Sequence, residues 1–152
     1  MILNEPELLV EFLQSFIRLD ILKDVKPEDI EDVPERFISF IAEQKDGDTV
    51  KRINLKDRSP LFVIAIVEHE SKVNFRASYK MLLYIALILE AYEKEVNKEN
   101  EKEITKTKDF KYPPILPVIF YDGTGEWTAE TNFLYRTATF DEATGNSYYR
   151  LT

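Results

Sequence analysis

The sequence predicts an α/β fold, a mixed central sheet flanked by helices, and three stretches predict it. Leu61 to Val67 is an unbroken run of seven apolar residues rich in Val and Ile, the pattern of a strand buried on both faces. Ile115 to Tyr121 is a second such stretch. Between them, Arg76 to about Val96 carries apolar residues at 79, 81–89, 91 and 92, which nearly encircle a long helix and predict a buried middle. A strand, a helix and a strand in succession imply a right-handed crossover with strands 61–69 and 115–121 parallel.

The remaining elements follow in order. Asn4-Glu-Pro-Glu7 reads as a helix start, with Asn4 as cap, Pro6 in the first turn and Glu7 at capping-box spacing. Leu8, Leu9, Phe12, Leu13, Phe16 and Ile17 make one apolar stripe, and the helix is expected to end near Leu22 or Lys23. Residues 24–35 are polar, and Pro27-Glu-Asp opens one short helical turn. Phe37 to Ala42 suits a strand or a helical turn, and Lys45-Asp-Gly-Asp48 is a turn signal. Asp48 to Leu55 reads as a strand, followed by a polar loop at 56–60. Residues 93–111, dense in Lys and Glu, read as a solvated helix end and a mobile loop. Asp122 to Trp127 is a loop, Asn132 to Arg136 a helical turn and Tyr148 to Leu151 a short strand. The expected organisation is one domain over 1–128 and an extension over 129–152, read as the start of a truncated region.

The central strand runs straight into Glu68-His69-Glu70. Carboxylates at alternate positions point to one face of a strand. They stand at its carboxyl end, where ligands bind in open α/β sheets. If 56–60 is the loop, Leu55 pairs with Leu61 and Asp48 falls opposite Glu68, on the same face with Cβ atoms about 5 Å apart. Asp48, Glu68 and Glu70 then converge, an arrangement that repels itself without a cation. Oxygen ligands of this kind suit Mg²⁺. The bland alternatives are a solvated strand end for Glu68 and Glu70, and a turn cap for Asp48. His69 alternates away from the acids and reads as a packed histidine.

Composition narrows the chemistry. With 152 residues, 44% hydrophobic and 32% charged, the chain can bury a core of its own. It has no cysteine and one histidine, so disulfides, thiolate sites, a cysteine nucleophile and a histidine-rich zinc site are excluded. Absence of cysteine fits a reducing cytoplasm. The longest apolar run, Met81 to Leu89, is about half a bilayer span, so no membrane is expected as a partner. The net charge of −8 argues against unspecific nucleic-acid binding, but its distribution does not. From Lys51 to Lys80 seven basic residues face three acids, so this window carries +4 and the rest −12. The basic excess surrounds the carboxylates, as an anionic substrate held by a metal requires.

These motifs, taken together, resemble the recombination-promoting nuclease, or putative transposase, family of bacteria, within the PD-(D/E)XK nuclease superfamily. The resemblance rests on Asp48 opening a strand and on Glu68-His69-Glu70-Ser71 ending the next. It rests also on Lys80 and Tyr84 at the family's Arg-x-x-x-Tyr helix spacing, and on Tyr112-Pro-Pro-Ile-Leu-Pro-Val-Ile-Phe-Tyr-Asp-Gly123. It covers roughly residues 5–128. It implies a restriction-endonuclease-like αβββαβ core and metal-assisted hydrolysis of DNA. On that implication Asp48, Glu68 and Glu70 are catalytic, and Asp48, Glu68 and the backbone carbonyl of His69 hold Mg²⁺ or Mn²⁺. Lys72, Arg76 and Lys80 contact DNA, and a homodimer is admitted. Glu70 stands where the family has Gln and the superfamily Lys, and a helical C-terminal region is missing. The competing readings are a degenerate DNA-binding or protein-interaction module on the same fold, and a phosphodiesterase acting on RNA or nucleotides.

Overall fold

Strand pairing organises the chain. The computed structural model describes residues 4–33, 48–56, 58–68, 73–100 and 103–138, with Glu68 described by its backbone. Four strands form one sheet in the order β1 (Ile30–Asp32), β2 (Thr49–Ile53), β3 (Leu61–Glu68), β4 (Ile115–Tyr121). β1/β2 and β2/β3 are antiparallel and β3/β4 is parallel, with helix α2 (Ala77–Glu99) joining β3 to β4. The mixed α/β architecture and the parallel pair are those the sequence predicts.

β3 is paired on both edges, and every residue from Leu61 to Val67 is buried, which is why its sequence shows no alternation. Its odd positions, Leu61, Val63 and Ala65, pack with Leu9, Val10 and Leu13 of helix α1 (Pro6–Phe12, continued by one π turn at Leu13–Ile17). Its even positions, Phe62, Ile64 and Ile66, pack with Met81, Tyr84 and Ile88 of α2. The sheet therefore separates two apolar layers.

Several expectations change in the structure. The α1 N-cap is Glu5, without a side-chain bond, and the Asn4 carbonyl instead accepts from Lys51 Nζ at 3.1 Å. The helix ends at Arg18, whose φ of 53° turns the chain out of the helical path well before Leu22. Gln14 Nε2 then binds the chain that follows, 3.1 Å from the carbonyls of Leu22, Lys23 and Val25. The helical turn at Pro27–Asp29 forms as expected, but it leads into β1, an edge strand too short and polar to show any period.

The β2/β3 register differs from the predicted one. Thr49 pairs with Ala65 and Ile53 with Leu61, because β2 stops at Ile53 and the loop spans 54–60. Leu55 leaves the ladder to pack against the α1-side core. Continued one step, this register sets Asp48 opposite Ile66 rather than Glu68. The shift is two residues, an even number, so Asp48 keeps the face assigned to it.

α2 is buried along one face, Ala77, Met81, Tyr84 and Ile88, while Tyr79 and Leu82 are 45% and 44% exposed. Its apolar residues nearly encircle it, but the sheet covers one side. The stretch after α2 is tied back rather than loose. Asn97 Nδ2 donates to Thr105 Oγ1 at 2.8 Å, and Phe110 lies between the rings of Tyr92 and Tyr112. Tyr112 donates to Glu93 at 2.5 Å, and this bond raises its ionisation above the ordinary phenol range. The turn at Phe133–Arg136 forms as predicted, capped by Asn132. Phe37 to Ala42 and Tyr148 to Leu151 lie outside the described residues.

Ile64 is fully buried between β2, β4 and α2. The Ile64→Ala change should cost about 2–5 kcal/mol of unfolding free energy, read by urea denaturation. A loss below about 1 kcal/mol would mean that the α2 side of the sheet is not the tightly packed layer described.

Candidate active site

Asp48 precedes β2 and directs its side chain to the α2 face. The carboxylate is 1% exposed and is held by three donors from two elements. The Val67 backbone N–H donates to Oδ1 at 3.1 Å, so the side chain continues the β2/β3 ladder where backbone pairing stops. The Tyr84 hydroxyl donates to Oδ2 at 2.8 Å, and Lys80 Nζ lies 2.5 Å from the same oxygen. Lys80 and Tyr84 are four apart, one above the other on α2. The Lys80 ammonium also lies 5.9 Å from the Tyr84 ring centroid. Asp48 is therefore not a solvated turn acid but a buried anion with its own counter-ion.

The lone pairs show what the carboxylate can still accept. A carboxylate offers about four lone-pair positions. Among the described residues two donors reach Oδ2 and one reaches Oδ1, which leaves one position on Oδ1. A hard oxygen with an open lone pair fits Mg²⁺ or Mn²⁺ and does not suit a soft metal. Among the described residues no three of His, Cys, Asp and Glu form a group able to hold a metal by themselves.

The other expected site residues distribute as follows. Glu68 closes β3 with its Cα beside Tyr121 of β4, at the carboxyl end of the parallel pair. Its side chain, and all of His69, Glu70 and Lys72, lie outside the described residues. Arg76 is the N-cap of α2, one turn before Lys80, and its backbone N–H donates to Asn74 Oδ1 at 2.9 Å. Lys80, expected on phosphate, rests on Asp48, with its side chain 17% exposed. Tyr84, noted in the sequence for its spacing alone, is fully buried and orients the carboxylate. Its four-residue spacing from Lys80 is the signal that could have assigned it there.

Removing either partner should be costly in a way that can be separated. Lys80→Met leaves the Asp48 charge buried without a counter-ion and should destabilise the fold by about 3–5 kcal/mol. Tyr84→Phe removes one bond to a charged acceptor and should cost about 1.5–3 kcal/mol. In a double-mutant cycle with Asp48→Asn, measured by chemical denaturation, the costs should fall well short of additive. Additive costs would show that these groups do not form one unit.

Among the described residues no helix is long and apolar enough to cross a membrane. No curated protein and no solved structure matches the chain. The family model described as putative transposase, YhgA-like, matches residues 1–150, nearly the whole length. The chain belongs to the YhgA-like putative transposase family.

Proposed function

We propose that the protein is a metal-dependent DNA endonuclease of the PD-(D/E)XK type, hydrolysing phosphodiesters in recombination or at mobile elements. The observation that carries this reading is the Asp48 carboxylate. It is buried and rigidly oriented, with one lone pair of Oδ1 left over, in a chain whose family is described by transposition. A carboxylate that merely caps a turn has no need of that much support.

Asp48 and Glu68, with the backbone carbonyl of His69, would hold Mg²⁺ or Mn²⁺, and Glu70 would bind a second ion or orient the attacking water. The bound cation supplies Lewis-acid polarisation of the phosphate and a more acidic water. The described residues do the positioning. Tyr84 and the Val67 N–H fix the plane of the Asp48 carboxylate. Lys80 neutralises that carboxylate in a dry setting and brings a positive charge to the place where a phosphate would lie. Arg76, exposed one turn away, and Lys72 would hold the flanking phosphates, the usual task of basic side chains on DNA.

One observation favours the alternative of a catalytically degenerate DNA-binding or protein-interaction module. The Lys80–Asp48 pair balances its own charge without any cation. Metal binding tests the site itself, and cleavage separates the two readings. On the nuclease reading, Mn²⁺ at about a hundredfold excess over its Kd should raise Tm by roughly 5–10 °C, and Asp48→Asn should abolish the shift. An equal shift in the variant would place the metal elsewhere.

Cleavage is the second test. Purified protein with Mn²⁺ should nick supercoiled plasmid, and Glu68→Ala should remove the activity. A wild type inactive with every divalent metal, and restored by Glu70→Gln or Glu70→Lys, would support the degenerate module. Equal nicking by wild type and Glu68→Ala would refute the site.

A further inference from the structure

The start of α2 carries a surface that the buried Asp48 cluster does not use. Phe75 is 52% exposed and Tyr79 45%. The Arg76 guanidinium lies over the Tyr79 ring, 5.6 Å from its centroid. Phe133, from the turn after β4, supports the same ring at 5.9 Å with a 43° tilt. Among the described residues the Arg76 guanidinium has no carboxylate partner. Arg52, by contrast, bonds Glu95 at 2.7 Å.

The two segments that supply this face contain no acid. From Val73 to Leu89 the sequence holds Arg76, beside a Lys80 already neutralised by Asp48, and from Thr131 to Ala138 it holds Arg136. In a chain of net charge −8, such a face is set apart for an anion. A phosphate alone would be served by a flexible lysine. A guanidinium laid flat on a tyrosine, beside an exposed phenylalanine, offers planar surfaces instead. Planar cationic and aromatic surfaces are what unpaired bases stack on, without regard to sequence. In an intact duplex the base faces are covered by their neighbours and have no use for such a surface.

We propose that Arg76 and Tyr79, with Phe75 and Phe133 beside them, form a stacking platform for an unpaired base. The preferred nucleic acid is then one with single-stranded character next to the Asp48 site, which lies one helical turn further along α2. This rests on the nuclease reading above and adds the substrate class to it. The alternative occupant of the face is a second copy of the chain, but two copies would set one Arg76 guanidinium against the other.

The test is fluorescence anisotropy in EDTA, so that nothing is cleaved. The probes are a labelled single strand of about 20 nucleotides, the blunt duplex of that sequence and the same duplex with a short gap. The single strand and the gapped duplex should bind more tightly than the blunt duplex. Tyr79→Ala should weaken single-strand binding by roughly 5- to 100-fold, the weight of one base stack, and change blunt-duplex binding less than about twofold. Arg76→Lys keeps the charge and loses the plane, so it should lose the single-strand preference as well.

Equal affinity for single strand and blunt duplex would overturn the platform while leaving the nuclease reading in place. So would an Arg76→Lys protein that binds like the wild type, since Arg76 would then act as a point charge. A wild-type dimer that Tyr79→Ala splits into monomers in sedimentation would assign the face to self-association and overturn the platform too. Failure to bind any of the three probes, together with failure to nick plasmid, would bring down both readings.

Discussion

A carboxylate that is 1% exposed cannot be left alone, and the site is arranged around that constraint. Taking an ion out of water costs several kcal/mol unless hydrogen bonds and an opposite charge replace the solvent. Asp48 gets these from the backbone of β3 and from two turns of α2. The carboxylate thus fixes the start of β2 against the end of β3, and α2 against both. Apolar packing by Met81, Tyr84 and Ile88 already presses α2 on the sheet. Such packing tolerates small rotations of a helix. Two donors from consecutive turns on one carboxylate oxygen do not, so the polar contacts set the helix rotation that the apolar ones leave loose.

β2 repeats the device on its other face. Lys51 is three residues from Asp48, so the two point to opposite sides of the sheet. The Lys51 ammonium is buried on the α1 side, where it meets Asp32 of β1 and the carbonyl of Asn4 just before α1. Arg52, on the α2 side, reaches Glu95 in the second half of that helix at 2.7 Å and lies over Phe62. A five-residue strand therefore connects both helices and two neighbouring strands through charged side chains. Pairs so open to water, with the Asp32 side chain 83% exposed and that of Glu95 31%, add little net stability. What they supply here is the alignment of separate elements, which a layer of Val and Ile would not dictate.

How far the sequence revealed this depends on the range of each interaction. β3, β4 and α2 were legible because long runs of Val, Ile and Leu carry their own signal. β1 was not, since three residues of an edge strand have no measurable period. The end of α1 was misplaced because its last turn is a π turn closed by a left-handed Arg18, which no glycine announced. The β2/β3 register was missed by two residues, because Leu55 looks like a strand residue and in fact packs in the core. Its parity survived, and with it the face of Asp48. The Lys80–Asp48 pair was not legible at all. The residues are 32 apart in sequence, and only the position of α2 on the sheet brings them together.

The identity of the cation partner then matters for what Asp48 can do. Where the resembling family has arginine, this chain has Lys80. A guanidinium is a planar fork that matches both oxygens of a carboxylate at once. An ammonium is a compact charge, and here it settles on Oδ2 beside the Tyr84 hydroxyl. Among the described residues Oδ1 has only the Val67 N–H. Lysine thus neutralises the buried carboxylate and orients it while keeping one oxygen able to accept a further ligand. On the nuclease reading that open oxygen is the one directed at a metal. On the degenerate reading the same substitution is merely sufficient to keep the fold.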